Sequence, residues 1–194
     1  MEQDIIENLQ KVVAAIEQLL RKKQFVNIAI DGHCGSGKST LATLLRRKFA
    51  ANVFRMDDFF LRPEQRTEER ALEIGGNVDY ERFKAEVLDQ LVLGKAFSYQ
   101  KYDCTVGKLT ETITVIPKRL NIIEGVYSMH PSLRDAYDLT IFLTVDPEVQ
   151  IARLRRRNGE AMLQRYIKEW IPLENQYFTA FDIPQIADMV ICNN

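Results

Sequence analysis

Cysteine is scarce and scattered in this chain. There are three in 194 residues, Cys34, Cys104 and Cys192, with no CxxC pair and no metal-ligand spacing. That pattern excludes a disulfide framework and a thiolate zinc site, and it suits a reduced, cytoplasmic setting. Long apolar runs are also missing. No segment approaches the roughly 20 residues needed to span a bilayer. The opening Met-Glu-Gln-Asp is too acidic and polar to read as a secretory signal. Nor is there an excess of either charge, since 26 basic side chains face 27 acidic ones for a net charge of −1. Duplex and membrane-surface binders usually carry a basic surplus, so neither nucleic acid nor membrane is an expected partner. Repeats, low-complexity stretches and linkers are absent as well, and 194 residues suit one domain better than two.

What remains is an alternation of helical and extended patterns. Residues 1–24 carry Ile5, Ile6, Leu9, Val12, Val13, Ile16, Leu19 and Leu20 at helical spacing. An amphipathic helix of this kind either docks on its own domain or binds a partner. Short apolar runs at 25–30, 53–56, 120–123, 139–145 and 187–191 read as buried strands. Helical patterns at 38–50, 79–93, 147–157 and 159–178 separate them, and 97–117 alternates as a β-hairpin turning near Gly107. The expected fold is therefore α/β, an open and mainly parallel sheet covered by helices on both faces. In such sheets ligands sit at the carboxyl ends of the strands.

One of those ends carries a motif. Gly32-His33-Cys34-Gly35-Ser36-Gly37-Lys38-Ser39 matches GxxxxGK[ST], preceded by a buried strand and followed by a helix that begins through Thr40. Glycines let backbone N–H groups close around phosphates, and the helix N-terminus adds its positive dipole end. Lys38 would reach the β- and γ-phosphates, and the Ser39 hydroxyl would ligate Mg²⁺. The expected ligands are thus ATP and Mg²⁺. His33 and Cys34 fill variable positions, either as nucleotide contacts or as spacers. Cys34 beside a helix N-terminus is also a candidate for a lowered thiol pKa and sensitivity to oxidation.

Carboxylates separate the P-loop classes. Asp57-Asp58 follows the second strand and Glu124 follows the third. One acid can orient Mg²⁺ while another takes a proton from an attacking hydroxyl, although a strand-end acid also commonly caps a helix. Asp146 before Pro147 reads as such a cap. No NKxD segment offers to read guanine. Arg153, Arg155, Arg156 and Arg157 cluster on one predicted helix, either as a solvated face or as a lid that closes on phosphates. A kinase acting on a hydroxyl fits this set best. The alternative is a nucleotide-binding switch or scaffold without turnover.

The run IAIDGHCGSGKST at 28–40, with MDDFF at 56–60 and IIEGV at 122–126, resembles the uridine kinase and phosphoribulokinase group of P-loop kinases. GNVDYERF at 76–83, YDCTVGKL at 102–109 and the terminal ADMVI extend the resemblance from about 25 to 191. It implies a P-loop NTPase fold with a five-stranded parallel core, a substrate hairpin over 97–117 and a short lid over 153–165. It further implies that Asp57 is the catalytic base and touches the acceptor hydroxyl, and that Ser39, Asp57 and Glu124 are the magnesium positions. Asp79 would contact the acceptor's ribose, Tyr102 would lie near its base, and Arg153, Arg156 and Arg157 would belong to the lid. The implied acceptor is the 5′-hydroxyl of a pyrimidine nucleoside, with pantothenate, nicotinamide riboside or a sugar phosphate as alternatives. The hairpin departs from the family's YDF-x-x-H-x-R pattern. Gly107 stands where the base-reading His would be, which implies loose discrimination among bases. Whether the chain forms a homo-oligomer is open at this stage.

Overall fold

The computed structural model describes the backbone of residues 2–194 and the side chains from residue 7 onward. Met1 and the side chains of Ile5 and Ile6, which the helical stripe includes, lie outside the described residues. Helix α1 (Glu2–Lys22) opens the chain. Its Val12 and Ile16 are fully buried in one cluster with Val26, Ile28, Leu120 and Ile141. The helix therefore docks on its own domain.

Seven strands follow: β1 (Val26–Gly32), β2 (Asn52–Arg55), β3 (Phe97–Asp103), β4 (Lys108–Val115), β5 (Leu120–Glu124), β6 (Leu139–Thr144) and β7 (Met189–Cys192). Five of them form a parallel sheet in the order β2-β5-β1-β6-β7, and β3 and β4 pair as an antiparallel hairpin. Side chains alternate across the central strands as a pleat requires. Ile28, Ile30, Ile122 and Ile141 enter the cluster beneath α1, while Ala29, Ile123 and Phe142 enter a second cluster on the other face. Both faces are covered, which is why these strands read as continuous apolar runs.

Helix α2 (Lys38–Phe49) starts directly from the P-loop. The segment after β2 is a series of short turns. A 3₁₀ turn (Met56–Phe59) comes first, a second (Pro63–Gln65) follows, and α3 (Glu68–Leu72) completes it. Next, α4 (Tyr80–Phe83) runs through a π turn (Lys84–Leu88) into α5 (Asp89–Val92). After β6 comes α6 (Pro147–Arg165), whose backbone breaks at Gly159 (φ 77°, ψ 170°). A π turn (Tyr166–Trp170) leads on to α7 (Ile171–Ala180), and the short α8 (Ile183–Ile186) precedes β7. Asp146 sits at the N-cap of α6 but makes no capping bond with its side chain. Its carboxylate accepts from Asn194 Nδ2 at 2.9 Å instead.

Gly32, the last residue of β1, has φ 137°, and a Cβ there would lie 2.0 Å from the Leu143 carbonyl oxygen. Gly159 is also left-handed but has nothing within 4 Å of a Cβ. The two sites separate clash from strain. Gly32→Ala meets rigid sheet backbone as well as an unfavourable φ, so its expected cost is about 3 kcal/mol or more. Gly159→Ala meets the φ penalty alone, at about 1 kcal/mol. Urea denaturation midpoints of the two variants check the order and the gap.

Candidate active site

Strand register builds the site. In the parallel sheet Ile30 stands opposite Glu124, and Arg55 stands opposite the same Glu124. The chain leaves β1, β2 and β5 at one level, so the P-loop, the Asp57 turn and Glu124 share one edge. A cavity of about 1690 Å³ opens there. A single-ligand pocket runs to roughly 300–1,000 Å³, so this one has room for two ligands side by side.

The P-loop forms its floor. Gly35 (φ 77°) and Gly37 (φ 97°) adopt the left-handed backbone that the motif demands. Cys34, Gly35, Gly37, Lys38, Ser39 and Thr40 all line the cavity. The Lys38 ammonium donates to the Gly32 and His33 carbonyls at 2.6 and 2.9 Å, which folds it back along its own loop. The His33 ring is turned away from the cavity. It packs edge-on against Phe142 and Phe178 and does not line the cavity. Gly32 and the fully buried Ser36 likewise lie beneath the floor.

Asp57 and Glu124 line the same cavity. Ser39 Oγ donates to Glu124 Oε2 at 3.1 Å, and Arg55 Nε lies 3.6 Å from Glu124 Oε1. Burial pushes the Glu124 carboxyl above its ordinary pKa. Lys38 and the Ser39 hydroxyl oppose that shift, while Asp57 adds to it. A hydroxyl and a carboxylate side by side make an oxygen-only donor pair suited to Mg²⁺. Among the described residues no cluster of three His, Cys, Asp or Glu side chains can hold a metal by itself. The pair therefore suits an ion that keeps few protein ligands and fills its shell with phosphate and water oxygens. Asp58 also lines the cavity, and burial raises its pKa, opposed by Lys101 and Arg55.

The clustered arginines divide. Arg153 lines the cavity and donates to the Asn193 carbonyl at 2.6 Å and the Gly35 carbonyl at 3.4 Å, which ties α6 to the P-loop. Arg157 lines it too and donates to the Tyr166 hydroxyl at 3.2 Å. Arg156 is exposed and does not line the cavity. The helical turn points it elsewhere, and Arg165 joins the cavity lining instead.

On the acceptor side, Tyr102 lines the cavity and is 5% exposed, with its hydroxyl accepting from Arg66 Nη2 at 3.0 Å. Asp79, expected to contact a ribose, is held by protein partners. It is 2% exposed and caps α4, accepting from Arg82 N at 3.1 Å and from Gln65 Nε2 at 2.8 Å. Both oxygens are engaged and the residue does not line the cavity.

Two buried acids carry no local signature. Glu174 on α7 accepts from the Cys34 backbone N–H at 2.9 Å and lines the cavity. Asp31 accepts from Gly32 N at 2.7 Å, Met129 N at 2.9 Å and the Tyr177 hydroxyl at 2.9 Å. Burial lifts its pKa to about 6, against the pull of the Met129 N–H, Lys38, the Gly32 N–H and Tyr177. Asp31 braces the P-loop, the loop after Glu124 and α7 together.

Burial, with Glu174 alongside, overturns the expectation for Cys34. Burial, with the Glu174 carboxylate second, pushes the Cys34 thiol up to about 12. Gln150 Nε2 closes the other side, 3.3 Å from Sγ. The helix N-terminus is outweighed because a thiolate here would face a carboxylate in a poorly solvated niche. Cys104 and Cys192 are exposed. Treatment of the folded protein with a disulfide reagent at pH 8 should modify Cys104 and Cys192 and leave Cys34 unmodified until denaturant is added. Mass spectrometry of the tryptic peptides reads the result.

A family model described as an AAA domain matches residues 28–176. A uridine kinase of Clostridium perfringens is 26% identical over 187 residues, covering 87% of this chain and 88% of that protein. One from Macrococcus caseolyticus is 28% identical over 181 residues, covering 84% and 86%. Among solved structures, that of a possible uridine kinase from Bacillus stearothermophilus superposes with a TM-score of 0.66 at 21% identity, covering 93% of this chain and 99% of that one. That likeness establishes the P-loop fold. No helix of the described residues is long and apolar enough to cross a membrane.

Proposed function

The chain belongs to the P-loop family whose AAA-domain model spans residues 28–176, and on that premise we propose that it is a kinase that transfers the γ-phosphoryl group of ATP to a hydroxyl of a small metabolite. One observation carries the reading. Lys38, Ser39, Asp57 and Glu124, from three separate segments, line one cavity with room for nucleotide and acceptor together. A binding module that only holds nucleotide has no use for a second carboxylate beside an acceptor space. The finer proposal is that the acceptor is the 5′-hydroxyl of a pyrimidine nucleoside, supported by the names of the two bacterial relatives.

The roles follow from charge and reach. Ser39, Glu124 and Asp57 would hold Mg²⁺, which when bound neutralises charge on the phosphate oxygens. Lys38 leaves its carbonyl partners to follow the β- and γ-phosphates. Asp57 takes the proton from the acceptor hydroxyl as its oxygen bonds to phosphorus and the bond to the ADP oxygen breaks. Arg153 and Arg157 have no carboxylate within ion-pair distance among the described residues. Both are free to stabilise the charge that spreads over the transferring group.

Two variants test this separately. Lys38→Ala should abolish ATP-dependent turnover and weaken triphosphate binding by calorimetry. Wild-type turnover in a folded Lys38→Ala protein would remove the P-loop from the mechanism. Asp57→Asn should keep the fold and most of the ATP affinity but lose about 10²–10⁴-fold in kcat, the usual contribution of a general base. The assay is ADP release with ribonucleosides, pantothenate, nicotinamide riboside and sugar phosphates as acceptors. A rate within tenfold of wild type would eliminate Asp57 as the base.

A further inference from the structure

Arg66 is placed differently from the other basic side chains on the acceptor wall. It follows the 3₁₀ turn at Pro63–Gln65 and lines the cavity together with Asp57 and Tyr102. A guanidinium has five N–H donors and no acceptor. Three are engaged here. Nε and Nη2 both donate to the Leu61 carbonyl, at 3.2 and 3.0 Å, and Nη2 also donates to the Tyr102 hydroxyl at 3.0 Å. The two donors on Nη1 have no partner among the described residues. No carboxylate lies within ion-pair distance either. By contrast, Arg70 on the same wall is paired with Glu81 at 2.6 Å, and Lys101 with Glu111 at 3.0 Å.

The surroundings keep that free edge open to a ligand. A Cβ on Gly107, at the hairpin turn, would lie 3.8 Å from Pro63 and 3.9 Å from the Tyr102 hydroxyl. No side chain projects from this position to fill the space beside the Arg66–Tyr102 pair. Arg66 is thus a pre-oriented, permanently charged donor pair next to the acceptor space, with its orientation fixed by a carbonyl and a phenol.

We infer that Arg66 is the specificity-determining residue for the acceptor, and that it selects a group presenting oxygens that only accept hydrogen bonds. This rests on the kinase reading for its biological meaning but not for its test. The group is either a carbonyl of a base or an anionic oxygen of a phosphate. An amino group in the same place would set donor against donor and leave both unpaired. Cytidine shares the C2 carbonyl of uridine, so the discrimination we assign to Arg66 is at the 4-position, a carbonyl in uridine against an amino group in cytidine.

The test is acceptor binding to the full chain in the presence of Mg-ADP, measured by calorimetry with uridine, cytidine and ribose 5-phosphate. Wild type should bind uridine or ribose 5-phosphate at least tenfold more tightly than cytidine. The first result assigns the carbonyl source and the second the anionic source. Arg66→Met should weaken the preferred ligand about 10–100-fold, the loss expected for hydrogen bonds from a charged group. Mg-ADP affinity should stay unchanged, and cytidine, relieved of the donor clash, should bind no more weakly than to wild type. Tyr102→Phe, which keeps the ring and removes only the brace, should give a smaller loss in the same direction. Equal binding of uridine and cytidine without ribose 5-phosphate binding would overturn the inference. So would affinities in Arg66→Met within twofold of wild type, or no binding of any of the three to wild type. ADP release is scored separately, so a failed kinase reading appears as ligand binding without turnover.

Discussion

The site depends on the register of three parallel strands. Ile30, Glu124 and Arg55 stand level across β1, β5 and β2, and a one-residue slip would send every strand side chain to the opposite face. The register is locked from both faces at once, because each strand contributes apolar side chains to two separate clusters. Two glycines finish the arrangement. Gly32 and Gly125 share φ 137°, and each follows an acid at the end of its strand, Asp31 in β1 and Glu124 in β5. At Gly125 a Cβ would lie 2.8 Å from Met56. The chain can turn out of the sheet at both places only where no side chain competes for the space. The Asp57 turn, which begins at Met56, is thereby drawn against the end of β5.

Charge is then organised by burial and not by number. The chain is nearly neutral, yet Asp31, Glu124 and Glu174 are all buried around one ammonium, Lys38. Each of these carboxyls has a raised pKa, and desolvation is the largest cause in each case. Such acids are tolerated because donors face them. Backbone N–H groups meet Asp31 and Glu174, and the Ser39 hydroxyl meets Glu124. In this low-dielectric setting Lys38 interacts more strongly with any arriving phosphate than a surface lysine could. Its carbonyl partners also hold it in place before the ligand arrives.

Legibility in the sequence followed the range of the forces involved. The P-loop, the strand ends and the hairpin are set by neighbours in the chain, so glycine spacing and apolar runs reveal them. Asp57 and Glu124 were legible because a residue just past a strand has little choice of location. Asp79 was not, because its helix-capping bond and its bond to Gln65 depend on how two turns pack. The aspect of Arg156 was illegible for a related reason. Proximity in a helical cluster does not decide which arginine faces a cavity, and Arg165, beyond the break at Gly159, could not be ranked above it. Glu174 and Asp31 act through partners 140 and 98 residues away. Cys34 shows the cost of reading only nearby sequence, since the adjacent helix terminus predicts a low thiol pKa and burial, with a distant glutamate second, reverses it.

The bonds around the cavity also differ in kind between floor and roof. The floor is held by buried hydrogen bonds from Asp31 and Glu174, where an unpaired partner would be costly. The roof segment from Arg155 to Glu169 carries exposed ion pairs of its own, Arg155–Glu160 and Arg165–Glu169, and reaches the floor through the buried Leu163, which packs with Leu154 and Cys34. Pairs of this type contribute about 0–1 kcal/mol each and weaken with salt. The roof also contains the left-handed Gly159 and ends in a π turn, with no Cβ contact to fix the break. The acceptor wall lies between these extremes, as Arg66 is fixed on one edge and free on the other. On the proposed kinase reading, phosphate chemistry falls to the buried floor, and choice of acceptor to a side chain with a free edge that can be replaced without disturbing that floor.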